Sequence, residues 1–306
     1  MMKFILVGIF FCLISLGCKE QEVYVFSYFK GNGEDGLHLA VSEDGLKWKA
    51  LKGDSSFLQP QLSSDKLMRD PCIIQGVDGL FHMVWTISWH EKGIGYASSK
   101  DLIHWSEQKL IPVFSNTEGV RNCWAPEITY DPIRKEYMIY WASTIEGRFT
   151  ETKEKEEGNL SHRMYAVTTK GFQTFSDTKL LYDYGFNVID ATILFHEGKF
   201  IMFMKDETLN PPQKNIRIAY ADQLTGPYSA PSVPITGDYW AEGPTVLRKD
   251  GMWIVYFDKY KDGKYGAVTS TDLEHWNDIS DQISFPEGTR HGTVFTVKNS
   301  LLKDLY

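Results

Sequence analysis

One phrase recurs five times along this chain, and it constrains the fold more than any other feature. A short alternating strand is followed by Ser/Thr-x-Asp-Leu-x-x-Trp, or by a degenerate form that ends in another aromatic residue. The closing aromatics are Trp48, Trp105, Phe175, Tyr228 and Trp276. The gaps between them are 57, 70, 53 and 48 residues. Five copies of a four-strand unit at this period predict an all-β fold, a five-bladed β-propeller.

Hairpins punctuated by glycine support this count. In residues 72–85, 193–203 and 246–256, apolar alternation continues on both sides of a glycine turn, which is typical of a hairpin. The first copy has no opening strand of its own, whereas an alternating segment follows the last copy at residues 292–297. We therefore expect this last strand to join residues 23–52 in one blade and to close the ring, which removes the free sheet edges.

The 70-residue gap contains an insert at residues 145–163 that is rich in Glu and Lys. So many charges predict a solvated, mobile loop.

The composition agrees with a large β chain rich in aromatic residues, and it excludes several functions. The 306 residues include 18 Phe, 16 Tyr and 9 Trp, and 40 acidic against 32 basic residues give a net charge of −8. No basic stripe of the kind that follows phosphates is present, so no nucleic-acid partner is expected. The acidic balance equally argues against electrostatic docking on an anionic membrane.

The N-terminal segment is typical of an export signal. Lys3 precedes an apolar run at residues 4–16, which is shorter than the roughly 20 residues that span a bilayer. The run ends in Ser15-Leu16-Gly17-Cys18. This ending resembles the lipobox of bacterial lipoproteins, whose Cys is lipidated, although Ser15 replaces the usual Leu. An ordinary cleaved signal with an incidental Cys is the alternative.

These features predict the domain organisation. We expect a lipoprotein-type signal peptide at residues 1–17, a tether at 18–22 after the lipidated Cys18, and one catalytic propeller at 23–306. The resemblance implies an exported lipoprotein on the outer-membrane surface or the periplasmic face, monomeric and touching the membrane only through its lipid.

Two cysteines, Cys72 and Cys123, then remain in the folded part. Exported thiols can pair, but spacing alone does not show that two Cα atoms approach within about 7 Å. We expect two buried free thiols.

One ionisable residue stands just before each predicted opening strand. These residues are Asp70 in Arg-Asp-Pro, Glu127 in Trp-Ala-Pro-Glu, Asp190 in Val-Ile-Asp-Ala, Glu242 in Trp-Ala-Glu-Gly-Pro and His291 in Thr-Arg-His-Gly. Their spacings of 57, 63, 52 and 49 residues follow the period of the blades. Because opening strands line the axis of a propeller, equivalent positions should converge in one pocket. Crowded carboxyl groups raise one another's pKa, which suits glycoside hydrolysis. Turn capping, or pairing with Arg69, Arg121 or Arg290, is the alternative.

The motifs resemble those of glycoside hydrolase family 43 over roughly residues 23–298. The resemblance rests on Arg69-Asp70-Pro71, Trp124-Ala125-Pro126-Glu127, Ile189-Asp190 and Glu242-Gly243-Pro244. It implies an inverting enzyme in which Asp70 is the general base that activates water and Glu242 is the general acid. Asp190 would be the pKa modulator that holds Glu242 in place. An inverting pair of carboxyl groups stands about 6.5–9.5 Å apart.

The resemblance also bears on metal and substrate binding. His291 matches the late-blade His of the family, often near a central calcium ion. A water-coordinated Ca²⁺ and an unmetallated His both remain open, and no cofactor is required. Glu127 would bind sugar hydroxyls, and Arg290 is a further candidate for substrate contact. Aromatic candidates for stacking on sugar rings, with packing between blades as the alternative, are Trp85, Trp89, Trp124 and Trp240.

The function expected from this resemblance is exo-acting release of a pentose from plant polysaccharide side chains. An α-L-arabinofuranosidase is favoured over a β-xylosidase, with exo-galactanase behind. The fructan-cleaving propellers share Arg-Asp-Pro, but they carry an Asn-Asp-Pro near the N-terminus that is missing here. A catalytically inactive, glycan-binding propeller is the alternative from another class, and the joint presence of Asp70, Asp190 and Glu242 argues against it.

Overall fold

The computed structural model describes residues 21–303 and 305. Nineteen strands form five antiparallel sheets, each of which is one blade. The innermost strands contact one another in the cyclic order β19, β4, β8, β12 and β15, and β15 contacts β19 to complete the ring. The all-β, five-bladed propeller predicted from the repeat is therefore confirmed.

The strands are distributed over the blades as follows. Blade 1 contains β1 (Glu22–Tyr28), β2 (His38–Ser42), β3 (Lys49–Ala50) and β19 (Val294–Lys298). Blade 2 contains β4 (Arg69–Gln75), β5 (Phe81–Thr86), β6 (Ile94–Ser99) and β7 (Lys109–Ile111). Blade 3 contains β8 (Trp124–Asp131), β9 (Glu136–Ser143), β10 (Arg163–Thr169) and β11 (Lys179–Tyr182). Blade 4 contains β12 (Val188–His196), β13 (Lys199–Asp206) and β14 (Asn215–Ala221). Blade 5 contains β15 (Glu242–Lys249), β16 (Met252–Lys259), β17 (Lys264–Ser270) and β18 (Asn277–Asp278).

Helical structure in the described part of the chain is limited to single 3-10 turns. They span Lys52–Asp54, Thr150–Thr152, Lys155–Glu157, Ser280–Gln282 and Asn299–Leu302. No helix among these residues is long and apolar enough to cross a membrane.

The ring closes as the sequence predicts. Strand β19 pairs with β1 in antiparallel register, from Glu22 opposite Lys298 to Phe26 opposite Val294. The chain thus supplies the inner strand of its first blade from its C-terminal end, so both ends of the ring are held in one sheet.

The recurring phrase forms the turn that follows the third strand of a blade. In blade 2, Ser99 Oγ accepts a hydrogen bond from the Leu102 amide at 2.9 Å. Asp101 Oδ1 accepts from the amides of Ile103 at 2.9 Å and His104 at 2.7 Å. These side chains satisfy backbone donors that no strand can satisfy, which is why Ser and Asp recur at this spacing.

Blade 4 departs from the expected four strands, because it has three. Its outer position is taken by an irregular segment in which Ser229, Ser232 and Ile235 donate backbone hydrogen bonds to β14. Pro231 and Pro234 interrupt this segment. A proline has no amide proton to give to a ladder, so a regular fourth strand cannot form here.

The insert at residues 145–163 is exposed along most of its length, as its charges predict, but buried charged side chains anchor it at a few points. Arg163 is fully buried at its end, and its Nε donates to Asp183 Oδ1 at 2.6 Å. Glu154 is 8% exposed and its Oε1 accepts from the Leu209 amide at 2.9 Å. Charged side chains are thus paired with partners on neighbouring segments, and the insert packs onto blade 4.

The core lies between the blades. Five clusters of buried apolar side chains each join two neighbouring blades. Trp85 is fully buried in the cluster between blades 1 and 2. Its candidate role in stacking on sugar is therefore wrong, and packing between blades explains it. Cys72 and Cys123 are buried and unpaired in the cluster between blades 2 and 3, as expected.

Candidate active site

A β-bulge at the start of an inner strand positions each candidate acid. The pairing of the first two strands skips one residue in blades 2, 3, 4 and 5. The residue at the bulge has left-handed backbone geometry in all four blades: Asp70 (φ 52°), Ala125 (φ 46°), Asp190 (φ 50°) and Gly243 (φ 57°). Such bulges redirect side chains, and non-glycine residues with positive φ are uncommon and concentrated at functional sites.

The bulges correct one expectation, namely that the ionisable residues occupy equivalent positions before the strands. Asp70 and Asp190 both hold the left-handed position of their bulges. Glu242 comes one position before Gly243, the left-handed residue of its bulge. Glu127 comes two positions after Ala125, the left-handed residue of its own bulge. The four carboxyl groups thus enter the channel at three different levels, and only those near the mouth can meet a substrate.

A single imidazole joins Asp70 and Asp190. His291 Nδ1 lies 3.3 Å from Asp70 Oδ1 and 3.9 Å from Asp190 Oδ2. Burial alone would raise the pKa of Asp70, but the hydrogen bond and positive charge of His291 outweigh burial and bring this pKa down to about 2. Burial raises the pKa of Asp190 to about 6, against the opposing charge of His291. Two buried carboxyl groups at one site therefore differ in acidity.

Further hydrogen bonds fix the carboxyl groups of both aspartates. Thr86 Oγ1 donates to Asp70 Oδ2 at 2.8 Å and accepts from the Ala125 amide at 2.8 Å. Asp190 Oδ2 accepts from the Gly243 amide at 3.0 Å. Since Gly243 follows Glu242 directly, Asp190 holds the backbone that carries Glu242.

The Glu242 carboxylate lies between two cations. Lys205 Nζ donates to its Oε2 at 3.1 Å, and Arg290 Nη2 donates to its Oε1 at 3.1 Å. Arg290 Nε also donates to Asp258 Oδ2 at 2.6 Å. Arg290, a candidate for substrate contact, is thus engaged with two carboxyl groups, and the pairing alternative holds for this residue. Asp70 and Glu242 are thus held by different partners.

Glu127 lies deeper in the channel than the other candidates. It is 4% exposed, and its oxygens accept from Tyr140 OH at 3.2 Å and Thr293 Oγ1 at 3.4 Å. Burial raises the pKa of Glu127 to about 7. A side chain enclosed in this way cannot reach sugar hydroxyls, so its expected role in substrate binding is wrong. Glu127 instead hydrogen-bonds beneath the site.

Aromatic side chains form one wall of the mouth. Trp89 and Trp124 meet edge to face with ring centroids 5.4 Å apart, and Arg69 lies over the Trp89 ring at 4.3 Å. A cleft of about 290 Å³ opens beside this pair and is lined also by Arg121 and Asn122. The structure thus places Trp89 and Trp124 where a sugar ring can contact them.

Trp240 lies on the Glu242 side of the site, beside Tyr260, whose ring faces Lys205. Its ring lies 5.8 Å from that of Tyr260, with Lys261 Nζ 4.6 Å from its centroid. A larger cavity of about 680 Å³ lies at β7 and the turn at residues 172–178. None of the four candidate carboxyl groups lines this larger cavity, so it is not the candidate active site.

The residues near His291 do not form a metal cage. Within residues 21–303 and 305, no group of three or more His, Cys, Asp or Glu side chains is arranged to hold a metal ion. His291 Nδ1 is directed at Asp70. The calcium ion remains a prediction.

Several site residues escape sequence reasoning. Three of them lie near the ends of second strands, each opposite the last paired residue before the bulge. These pairs are Thr86 with Arg69, Lys205 with Ile189 and Asp258 with Glu242. Each polar side chain follows a run of apolar residues. A polar residue that ends an apolar run in successive repeats is the signal that could have identified them.

Comparisons with known proteins agree with this geometry. A family profile described as a probable glycosyl hydrolase domain, related to glycoside hydrolase family 43, matches residues 19–301. An α-L-arabinofuranosidase from Bifidobacterium longum is 31% identical over 97 residues, which cover 30% of this chain and 9% of that protein. The chain thus matches only a small part of that curated relative.

Solved structures share the fold. A thermostable family-43 glycoside hydrolase superposes with a TM-score of 0.57 at 18% identity, covering 73% of this chain and 78% of that one. An α-L-arabinofuranosidase from Lactobacillus brevis gives 0.53 at 19% identity, covering 70% and 72%. An exo-β-1,3-galactanase from Phanerochaete chrysosporium gives 0.55 at 14% identity, covering 72% and 52%.

Proposed function

The chain belongs to the family-43-related glycoside hydrolases, and from that premise we propose that it is an inverting, exo-acting enzyme that releases α-L-arabinofuranose from plant polysaccharide side chains. The observation that carries this proposal is the meeting of Asp70, Asp190 and Glu242 at one mouth of the channel, around His291 and Arg290. Three carboxyl groups from three blades are held there by named partners.

The proposed mechanism uses two of these groups directly. Asp70 takes a proton from a water molecule that attacks the anomeric carbon, and Glu242 gives a proton to the leaving glycosidic oxygen. The low pKa of Asp70, about 2, keeps this base ionised across the neutral range. Asp190 acts by holding the Gly243 amide and thus Glu242. The products are an alcohol and a sugar of inverted anomeric configuration.

The choice of sugar rests on relatives. One curated relative and one solved structure are named α-L-arabinofuranosidases. Another solved structure is named an exo-β-1,3-galactanase. Arabinofuranose is therefore the first candidate, with xylose and galactose as alternatives for the same site.

A substrate panel tests the proposal. The purified chain is assayed on 4-nitrophenyl α-L-arabinofuranoside, β-D-xyloside and β-D-galactoside beside Asp70→Asn and Glu242→Gln. We expect the arabinofuranoside to be preferred and Asp70→Asn to lose about 10²–10⁴-fold in kcat. Asp78→Asn is a matched control, because Asp78 contacts His82 in the same blade and lies away from the site. Wild-type turnover of none of the glycosides would favour a glycan-binding propeller, and NMR of the first-formed anomer tests inversion.

We also propose that Cys18 carries a lipid and that the enzyme is exported. Residues 1–20 lie outside the described part of the chain, so the support is the sequence pattern alone. Metabolic labelling with a fatty acid should mark the wild type and not Cys18→Ala. Equal labelling of both would contradict lipidation at this residue.

A further inference from the structure

Both cations at Glu242 are shared with a second carboxyl group, and both lie closer to that second group. Lys205 Nζ is 2.6 Å from Glu207 Oε2 and 3.1 Å from Glu242 Oε2. Arg290 is 2.6 Å from Asp258 Oδ2 through Nε and 3.1 Å from Glu242 Oε1 through Nη2. The same difference of distances thus recurs on the two sides of one carboxylate.

This arrangement matters because a general acid must hold a proton before it can give one. Two positive charges within hydrogen-bond distance favour the ionised form of a carboxyl group. Lys205 is 1% exposed, so water screens its charge little. If both cations were committed to Glu242 alone, the protonated carboxyl would be rare.

We propose that Glu207 and Asp258 are positioning residues that share Lys205 and Arg290 with Glu242, so that neither cation is committed to Glu242 alone and Glu242 can be protonated. This inference rests on the proposed role of Glu242 as the general acid. Neither Glu207 nor Asp258 needs to touch the substrate. Each acts by occupying a cation that would otherwise pair fully with the acid.

The charge states of these groups fit that role. Burial would raise the pKa of Glu207, but the charges of Lys205 and Lys214 outweigh it and hold this pKa below its usual value. Burial would lower the pKa of Lys205, but Glu207 and Glu242 raise it well above its usual value. An ionised Glu207 therefore faces a charged Lys205 across the neutral range.

The insert anchors this arrangement from outside. Lys214 Nζ lies 2.8 Å from Glu207 Oε1 and 2.6 Å from Glu157 Oε1. Charges therefore alternate from the insert to the acid in the order Glu157, Lys214, Glu207, Lys205 and Glu242. The buried Lys214 keeps Glu207 oriented toward Lys205. Glu207 and Glu242 pair with Lys205 directly, whereas Glu157 pairs with Lys214.

Other ionisable groups also face Glu242. Asp190 lies on β12, Tyr260 follows β16, and Tyr265 lies on β17, and each interacts with the Glu242 charge. Burial, together with the Glu242 charge, raises the pKa of Asp258 to about 6 against the effect of Arg290. Glu207→Gln is therefore the cleaner variant, because Glu207 stays ionised where Asp258 itself titrates.

The test compares pH profiles of kcat/KM for two glycosides of the preferred sugar, one with a methyl and one with a 2,4-dinitrophenyl leaving group. The methoxy oxygen must be protonated so that methanol can leave, whereas dinitrophenolate leaves without a proton. Glu207→Gln should move the alkaline limb for the methyl glycoside to lower pH by about one unit, because Lys205 then pairs fully with Glu242. The dinitrophenyl profile should not move. Lys205→Met should shift the alkaline limb of the methyl glycoside profile to higher pH.

Matched variants separate this effect from a loss of structure. Glu151→Gln removes an exposed carboxylate of the same insert that faces Arg163 at 3.6 Å, outside this arrangement, and it should leave the limb unchanged. Glu207→Asp keeps the charge and should restore the limb toward the wild-type position. An unmoved limb in Glu207→Gln, with equal losses on both glycosides, would overturn the proposal, as would an equal shift in Glu151→Gln.

Failure of the acid assignment gives a different result. Glu242→Gln should lose far more activity on the methyl glycoside than on the dinitrophenyl glycoside. Equal losses on both would overturn the role of Glu242 and this inference together. A leaving-group effect in Glu242→Gln beside an unmoved limb in Glu207→Gln would overturn this inference alone.

Discussion

His291 Nδ1 lies 3.3 Å from Asp70 Oδ1, so a residue that precedes the last strand of the ring holds a charge on the first strand of blade 2. Burial alone would lower the pKa of His291. The charge of Asp190 and the hydrogen bond and charge of Asp70 outweigh burial and raise this pKa to about 9. The pair is therefore ionised in the folded protein at neutral pH.

The first prediction concerns stability and pH. A histidine whose pKa is raised from an ordinary value near 6.5 to about 9 stabilises the fold fully below the ordinary value. That stabilisation is lost as the pH rises through about 9. His291→Gln should therefore lower the free energy of unfolding by about 2–3 kcal/mol more at pH 6 than at pH 9.5. Urea denaturation at the two pH values measures this difference.

His104→Gln is the control for that measurement. His104 pairs with Asp101 at 2.8 Å, but its side chain is 84% exposed. Exposed pairs contribute little to stability. An equal cost of His291→Gln at pH 6 and pH 9.5 would show that its charge does not stabilise the fold.

The second prediction concerns the bulge beside the acid. A Cβ atom at Gly243 would lie 2.3 Å from His291 Cγ, at a backbone φ of +57°. Gly243→Ala should therefore displace His291, destabilise the fold by several kcal/mol and abolish activity. Gly251→Ala is the matched control, because its φ is +80° but no atom lies within 4 Å. It should cost about 1–2 kcal/mol and spare activity. Equal costs in thermal unfolding would contradict the steric account.

The third prediction concerns the aromatic wall. Trp89 is 37% exposed and is held by Trp124 and Arg69. Trp89→Ala should raise the KM of an oligosaccharide substrate about tenfold and change kcat much less, because the lost contact is to bound sugar. Phe195→Ala removes another exposed ring at the hairpin end of β12, whereas Asp190 lies at the start of that strand, and it should leave KM unchanged. A fall in kcat with constant KM would place Trp89 in the chemical step instead.

The fourth prediction concerns the thiols. Burial raises the pKa of both Cys72 and Cys123. Neither thiol of this pair should react with Ellman's reagent in the native protein, and both should react within the mixing time in 6 M guanidinium. A Cys12→Ala, Cys18→Ala background keeps the count to these two of the four cysteines. Fast reaction in the native state would contradict the packing between blades 2 and 3.

The sequence predicts the blade count and ring closure because the repeat is local. Each copy carries its own turn chemistry, as at Ser99 and Asp101, and the alternation at residues 292–297 reports an inner strand without a hairpin of its own. The motifs also locate Asp70, Asp190 and Glu242 near one another. These features depend on short stretches of chain, which a sequence displays directly.

Features that depend on three-dimensional packing are beyond this reasoning. The levels of Glu127 and Glu242 follow from bulges whose pairing partners lie on other strands. Lys205 reaches Glu242 across a blade boundary. The insert contains so many charges that solvation is the natural expectation, yet Arg163 finds partners that burial requires.

The closure of the ring also places the start of β1 at the end of the propeller that is remote from the candidate active site. Strand β19 leaves the site after His291 and ends at Lys298, opposite Glu22, so the chain enters β1 at the end remote from the carboxyl groups. Only three residues separate Cys18 from Glu22, a reach of about 14 Å at most. If Cys18 is lipidated as we propose, this end of the propeller rests against the bilayer and the candidate active site opens away from it.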